Sequence, residues 1–353
     1  MSSPTNSAAR RVGLIGFGTA GRFFHAPLLA ATPGLELAAI VTSDPARRAD
    51  ILAAYPGTQV VATADELWKL DLDLVVVASP NKTHVPLALA ALEAGSAVVV
   101  DKPLAVESAA ASALIAAARE HGRLLSVFQN RRWDGDFRTV AQLVAEGRLG
   151  TVQRFESRFE RWRPKLKGGW RETGGRDEGS GLLYDLGSHL VDQALTLFGP
   201  AADVYAQADV RREGARADDD TFIALTHVSG VRSHLWASAT AASLGPRLRV
   251  LGSRGAYVTY GLDGQEDELR AGRTPRDLGF GVTPSERYGK LGAEGEFETC
   301  PTLDGRYVDY YARIERALRG EGPVPVDPAD AVAALRVIEA ARVSADEGRV
   351  VAL

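Results

Sequence analysis

Three short segments carry residue types that chemistry needs, at spacings chemistry can use. The first is Gly16-Phe17-Gly18-Thr19-Ala20-Gly21, a G-x-G-x-x-G that follows an apolar run and precedes a helical pattern. Glycines so placed permit a tight turn, let backbone approach a pyrophosphate, and leave the phosphates on a helix N-terminus. Gly16, Phe17, Gly18, Thr19, Ala20 and Gly21 are therefore candidates to bind a dinucleotide. The second segment is Asp101-Lys102-Pro103, where proline fixes the turn, is a candidate for a cis bond, and aims a lysine from a strand end. The third is Asp185-x-x-x-His189-x-x-Asp192. On one helix these three share a face, and a histidine beside a carboxylate can take a proton from an alcohol. Each segment also has a plainer reading: a packing turn, a surface lysine, and a capped helix with a packed histidine.

These groups need elements to hold them. Short apolar runs at 12–17, 35–42, 60–62, 72–79, 97–100 and 124–128 alternate with helical stretches at 20–31, 45–54, 85–94 and 106–120. Val75-Val76-Val77 and Val98-Val99-Val100 are continuous, as in strands buried on both faces of a parallel sheet. Gly95 and Gly122 stand where helices would end. The pattern predicts an α/β chain whose first half is a doubly wound parallel sheet of the Rossmann kind. In that arrangement Lys102 points into the ligand crevice. The crossover residues Ser79, Pro80, Asn81 and His84, together with Asp101, Lys102 and Gln129, join the cofactor edge.

The end of the second strand reports on the cofactor. A carboxylate there favours NAD by accepting hydrogen bonds from the ribose. The chain has Val41-Thr42-Ser43-Asp44-Pro45-Ala46-Arg47-Arg48, and Asp44 before Pro45 has the form of a helix N-cap. Thr42 and Ser43 then face the ribose, with Arg47 and Arg48 within reach of a 2′-phosphate, so NADP(H) is expected over NAD(H).

After residue 128 the pattern changes. A helix at 136–146 is followed by period-two alternation at 152–162 and by strands at 221–228, 231–240, 248–252 and 256–261. Residues 262–298 read as loops with short helices, and helices return at 305–320 and 327–347. The expected division is a mobile tail at 1–10, a dinucleotide-binding domain at 11–128, and a substrate and oligomerisation domain at 129–353. The second domain is expected to be α/β with a large, mostly antiparallel, open sheet, its terminal helices packing back on the first. Asn130, Arg132, Trp133, Arg163 and Trp170, with Asp185 and His189, are its candidate substrate contacts, since a polyol needs many fixed donors and aromatic cover for its C–H faces.

Composition removes several classes. Among 353 residues, 41 basic and 45 acidic side chains give a net charge of -4, which offers no footprint for nucleic acid or an anionic membrane. No run approaches the ~18 apolar residues of a membrane span, and the N-terminus lacks the form of an export signal. The single cysteine excludes an internal disulfide and a thiolate zinc cage, so no metal is expected and a cytoplasmic location is. No Tyr-x-x-x-Lys occurs, which removes the usual short-chain dehydrogenase pair.

Taken together, Gly16–Gly21, Asp101-Lys102-Pro103 and Asp185-x-x-x-His189 resemble the Gfo/Idh/MocA family of nicotinamide-dependent sugar and polyol oxidoreductases, in order and spacing along almost the whole chain. Asp101 stands where that family more often has glutamate. The resemblance implies Lys102, Asp185 and His189 as the catalytic trio, a secondary alcohol or ketone as substrate, and a homodimer or homotetramer built through the open sheet. Phe23-Phe24-His25-Ala26-Pro27-Leu28, Gln129-Asn130-Arg131-Arg132-Trp133-Asp134, Arg161-Trp162-Arg163-Pro164 and Tyr184–His189 are similar to its NADP-dependent scyllo-inositol dehydrogenase branch. So is Tyr260–Asp267 with the following Leu269-Arg270-Ala271-Gly272. Two other readings share the fold: a relative that uses tightly held NAD transiently for glycoside cleavage or elimination, and a cofactor-sensing protein without catalysis.

Overall fold

Apolar runs with no polar alternation are satisfied only where both faces of a strand are covered. The computed structural model, which describes residues 8–353, places them so. β1 (Arg10–Ile15), β2 (Leu35–Val41), β3 (Gln59–Val61), β4 (Leu74–Val77), β5 (Ala97–Asp101) and β6 (Leu125–Phe128) form one parallel sheet in the order β3-β2-β1-β4-β5-β6. Crossovers are made by α1 (Ala26–Ala31), α2 (Pro45–Ala54), α3 (Ala64–Leu67), α4 (His84–Glu93) and α5 (Ser108–Glu120). The strand order reverses between β1 and β4, and ligands of such sheets sit outside the carboxyl ends at that point.

Two local details differ from the sequence reading. Residues 1–7 of the expected tail lie outside the described residues, but Arg10 opens β1 instead. Its N–H reaches the Gly34 carbonyl at 2.8 Å and its Nη1 meets Asp73 Oδ1 at 3.0 Å. The first helix is also not uniform: Gly21–His25 forms a π-turn before α1, closed by the Ala26 N–H on the Gly21 carbonyl. Pro27 has no N–H to give the carbonyl of Phe23, and the wider turn accommodates that missing donor.

The second half begins with α6 (Gly135–Ala145), β7 (Val152–Glu160), α7 (Trp170–Thr173), α8 (Leu182–Asp185) and α9 (Gly187–Phe198). It continues through β8 (Ala201–Asp209), β9 (Asp220–His227), β10 (Arg232–Ser238), β11 (Leu248–Gly252), β12 (Gly255–Thr259) and α10 (Gln265–Arg270). It closes with β13 (Gly289–Ala293), β14 (Glu296–Cys300), α11 (Val308–Leu318), α12 (Pro328–Glu347) and β15 (Val351–Ala352). The strands make one nine-stranded sheet, β14-β13-β12-β11-β7-β10-β9-β8-β15, in which β7 and β10 run parallel and every other pair antiparallel. One face carries Phe155, Ser157 and Phe159 of β7 into the core. The other presents Phe222, His234 and Trp236, with Glu156 held between Arg154, Arg158 and Arg249.

Strands β8, β13, β14 and β15 were not expected, and residues 262–298 are not only loop and short helix. β8 is alanine- and aspartate-rich and β13 carries two glycines, compositions that disfavour strands in isolation; pairing with β9 and β12 overrides them. The terminal helices contact elements of the first half. α12 packs on α5 and β6 as well as on α9 and β8. Ser126 Oγ on β6 donates to the Val326 carbonyl at 2.8 Å and accepts from Tyr310 at 3.0 Å. Glu339 of α12 accepts from the Ser108 N–H at 2.6 Å and from its hydroxyl at 2.7 Å. Glu339→Ala is expected to cost about 1–3 kcal/mol, because it leaves the first turn of α5 without its acceptor. Denaturant midpoints of the two proteins check this, and an unshifted midpoint would show the contact to be dispensable.

Candidate active site

At the cofactor edge, the three glycines divide the labour. Gly16 has φ 97°, and a Cβ there would stand 2.6 Å from the Ala78 carbonyl beyond β4. A Cβ on Gly21 would overlap the Gly16 carbonyl. Gly18 alone faces open space, with nothing within 4 Å of where its Cβ would be. Bare backbone at Gly18, over the turn that starts a helix and at the strand-order reversal, is what a pyrophosphate requires. Beyond β2, Asp44 caps α2, accepting from the N–H groups of Ala46 and Arg47 at 2.9 and 3.2 Å. Thr42 Oγ1 accepts from the Asp44 N–H at 3.3 Å, while Ser43 is exposed. Arg47 remains on the surface beside Asp44, but Arg48 turns to the Val60 carbonyl at 2.9 Å, so its guanidinium is tied to β3.

The crossover after β4 is internally braced. Ser79 and Thr83 hydroxyls meet at 2.6 Å, and Pro80 opens the short turn Asn81–Thr83. His84 lies between the carbonyls of Pro103 and Ser79, at 2.8 and 2.9 Å. Burial pushes its pKa down against the opposing pull of Asp101. Asn81 Nδ2 reaches the Gly179 carbonyl at 3.4 Å, joining the two halves. Gln129 is buried with Oε1 unpartnered among the described residues.

The Lys102–Pro103 bond is cis. Asp101 accepts the Lys102 N–H at 2.9 Å and faces His25 Nε2 at 3.7 Å, while His25 Nδ1 meets the Tyr311 hydroxyl at 2.5 Å. Burial alone would raise the Asp101 carboxyl, but its contact with His25 and the charge of Lys102 hold it below its ordinary value. Lys102 Nζ crosses to the second half, donating to Asp185 Oδ1 at 2.8 Å and to the Asp185 carbonyl at 2.5 Å. Arg171 Nε stands 3.5 Å from Asp185 Oδ1. Burial opposes ionisation of Asp185, yet these two cations hold its carboxyl far below the usual range.

His189 is 5% exposed, 6.2 Å from the Phe159 ring, and its Nδ1 has no partner among the described residues. Burial, then the charges of Lys102 and Arg131, push its pKa well below the ordinary histidine value, so the ring is neutral near pH 7. The expected common face of Asp185, His189 and Asp192 does not form as one continuous helix. α8 ends at Asp185, α9 starts at Gly187, and Leu186 makes the joint. The two carboxylates diverge: Asp185 engages Lys102, and Asp192 accepts from Arg132 Nε and Nη2 at 2.8 and 2.6 Å. Asp185 therefore balances the lysine rather than hydrogen-bonding the imidazole. The Asp185 carbonyl accepts from Lys102 Nζ, and the His189 N–H turns to the Leu186 carbonyl at 3.1 Å. Asp218, which sequence spacing did not single out, starts α8: its Oδ2 accepts the Leu183 N–H at 2.6 Å, with Gly181 leaving room for it.

Arg163, Trp170 and Asp185 line one cavity of about 220 Å³, joined there by Arg161, Lys167 and Arg171. The other substrate candidates are placed elsewhere. Arg132 is held by Asp192 and, through Nη1 at 3.0 Å, by Asp330, and lines a separate cleft with Leu195 and Val337. Trp133 packs edge-on to Tyr310 at 5.5 Å, and its carbonyl accepts from Arg306 and Gln265. Asn130 is buried in the turn Asn130–Trp133. Arg161 was visible as the partner of Arg163 two residues on, since extended chain puts such positions on one side. Arg171 and Lys167 carried no periodic signal.

A parallel six-stranded sheet with a glycine-lined turn, a strand-end lysine and two helices of the second half supplying Asp185 and His189 defines a two-domain dinucleotide-binding oxidoreductase. Residues 10–129 match the NAD-binding Rossmann fold of the Gfo/Idh/MocA oxidoreductase family and residues 141–353 its C-terminal alpha/beta domain; the chain belongs to that family. It is 46% identical to the Escherichia coli K12 oxidoreductase YdgJ over 332 residues, 93% of this chain and 94% of that one. It is 36% identical to the Bacillus subtilis scyllo-inositol 2-dehydrogenase (NADP(+)) IolW over 348 residues, 97% and 96% of the two chains. Among solved structures, the Bacillus subtilis oxidoreductase YvaA superposes with a TM-score of 0.92 at 35% identity, covering 98% of both chains. Among the described residues no helix is long and apolar enough to cross a membrane.

Proposed function

We propose that the chain oxidises and reduces a secondary alcohol–ketone pair on a cyclic polyol or sugar with NADP(H), an inositol being the first candidate substrate. The observation that carries this reading is the meeting of Lys102, from the Rossmann half, with Asp185 of the second half, beside a buried neutral His189. His189 takes the hydroxyl proton in the oxidation direction. Lys102 Nζ donates to the same oxygen and stabilises its developing negative charge. Asp185 balances the lysine and can accept from a neighbouring hydroxyl. The nicotinamide, when bound, accepts or returns the hydride. The name of the Bacillus relative IolW agrees with both the inositol and the NADP(+) parts of the proposal.

Initial rates with inositols and aldoses against NADP and NAD, followed at the reduced cofactor's absorbance, test it. Turnover with no member of the panel would reject the reading, and bound, non-exchanging NAD without net turnover would replace it with transient redox chemistry. The cofactor choice has its own test in Ser43→Asp. A carboxylate at that exposed position repels a 2′-phosphate and accepts from a bare ribose. The ratio of kcat/KM for NADP over NAD is expected to fall about tenfold or more, as loss of one charge-assisted contact implies. An unchanged ratio would remove Ser43 from the cofactor site.

A further inference from the structure

We propose that the substrate carries an anionic substituent, a carboxylate or a phosphate, held by Arg161 and Arg163 across the cavity from Asp185. This rests on the alcohol–ketone reading above and moves its substrate class from neutral inositols to polyols and sugars that bear an anion.

The chain leaving β7 is pinned as extended backbone. Trp162 bridges to Thr240, the Arg161 N–H reaches the Ser238 carbonyl at 2.9 Å, and the Arg163 N–H reaches the Ala239 carbonyl at 2.8 Å. Alternation sends Trp162, 58% exposed, to one side and both arginines to the other, where they line the cavity that also contains Asp185. Among the described residues no carboxylate pairs with Arg161, Arg163 or Lys167. Arg212 on the same wall shows what a structural arginine does here: it holds Asp219 at 2.8 Å and Glu172 at 2.9 Å. The carboxylates of the same lining are already engaged: Asp185 by Lys102 and Arg171, Glu172 by Arg212 and the N–H groups of Lys167 and Gly168, and Asp218 by the Leu183 N–H and the Thr221 hydroxyl.

Arg161 is half-buried, and its pKa is lowered first by that burial and then by Arg163. A guanidinium without a partner beside a second guanidinium is a standing cost that a bound anion would offset. Five cations of the lining, Arg161, Arg163, Lys167, Arg171 and Arg212, also outnumber its three carboxylates. A neutral polyol hydroxyl needs both donors and acceptors, whereas guanidinium and ammonium groups only donate. Carboxylate and phosphate oxygens only accept when ionised, and they match the guanidinium fork two bonds at a time. Trp170, with Arg171 4.7 Å over its ring, adds an apolar face for the C–H side of the sugar.

The test uses one ring with three substituents: D-glucose, D-glucuronate and D-glucose 6-phosphate, each with NADP, on the wild-type enzyme and on R161Q/R163Q. One of the two anions is expected to exceed D-glucose in kcat/KM by about tenfold or more, with the ratio falling towards unity in the variant. Which anion does so separates carboxylate from phosphate. A second arm is independent of turnover: calorimetric titration of inorganic phosphate and of D-glucuronate into the NADP-saturated protein, with binding at least about tenfold weaker in the variant. Where the double variant does not fold, R163Q, altering an exposed side chain, takes its place. Neutral sugar or inositol turned over with no advantage to either anion, and no arginine-dependent anion binding, would overturn the inference and leave the polyol reading standing. Arginine-dependent anion binding without oxidation of any sugar would do the reverse.

Discussion

His189→Ala is expected to fold, to bind NADPH as the wild type does, and to lose about 10²-fold or more in turnover, the usual contribution of a positioned acid–base group. The expectation follows from burial. His189 is held neutral by loss of solvent and by the charges of Lys102 and Arg131, so it is ready to accept a proton at neutral pH. The sign of the pH dependence follows. A base whose pKa is depressed becomes protonated only when pH falls through that lower value, so the acid limb of alcohol oxidation should lie below the ordinary histidine value of about 6.5. Single-turnover rates and fluorescence titration of NADPH separate chemistry from binding. Near-normal turnover in the variant would dismiss His189 as the base.

The second large effect is expected at Lys102. Lys102→Met removes the donor to the reacting oxygen and should lower kcat by about 10²–10³-fold, the scale of losing a preorganised donor at developing negative charge. It also changes the neighbours in a definite direction. Lys102 is among the charges that hold His189 down, so in the variant the His189 pKa rises and the acid limb moves to higher pH. Asp185 loses the larger of its two cationic partners and rises too, though Arg171 remains beside it and a carboxyl returning towards its usual range is still ionised at pH 7. The pH–rate profile is therefore the deciding measurement, and an unmoved limb would separate Lys102 from His189.

Much of the site's first half was legible because each residue there answers to local geometry. Gly16, Gly18 and Gly21 are distinguished by what a single Cβ would strike, and their spacing carries that information. Val75–Val77 is buried throughout because a parallel strand has no solvent face, and a continuous apolar run declares it. The second half was less legible because its contacts are long-range. Asp185 and His189 sit four apart, which reads as one helical face, yet the Asp185 carbonyl is taken by Lys102 from the other half and the helical bonding is interrupted at Leu186. Arg132 and Trp133 have the chemistry of substrate contacts, but Asp192, Asp330 and Tyr310 already engage them. No periodicity reports a partner sixty or two hundred residues away. β8 and β13 show the same for strands, since their neighbours rather than their propensities make them extended.

The return of α12 to the first sheet bears on how the molecule comes apart. Two halves joined by a linker would each keep a private stability and melt in separate steps. Here one twenty-residue helix is shared: it covers β8 and α9 on one side, α5 and β6 on the other, and Glu339 closes the start of α5. The last helix of the chain thus completes the core of the first half. The two sheets are therefore expected to unfold in one transition, with the cofactor edge braced by residues more than three hundred positions beyond its glycines.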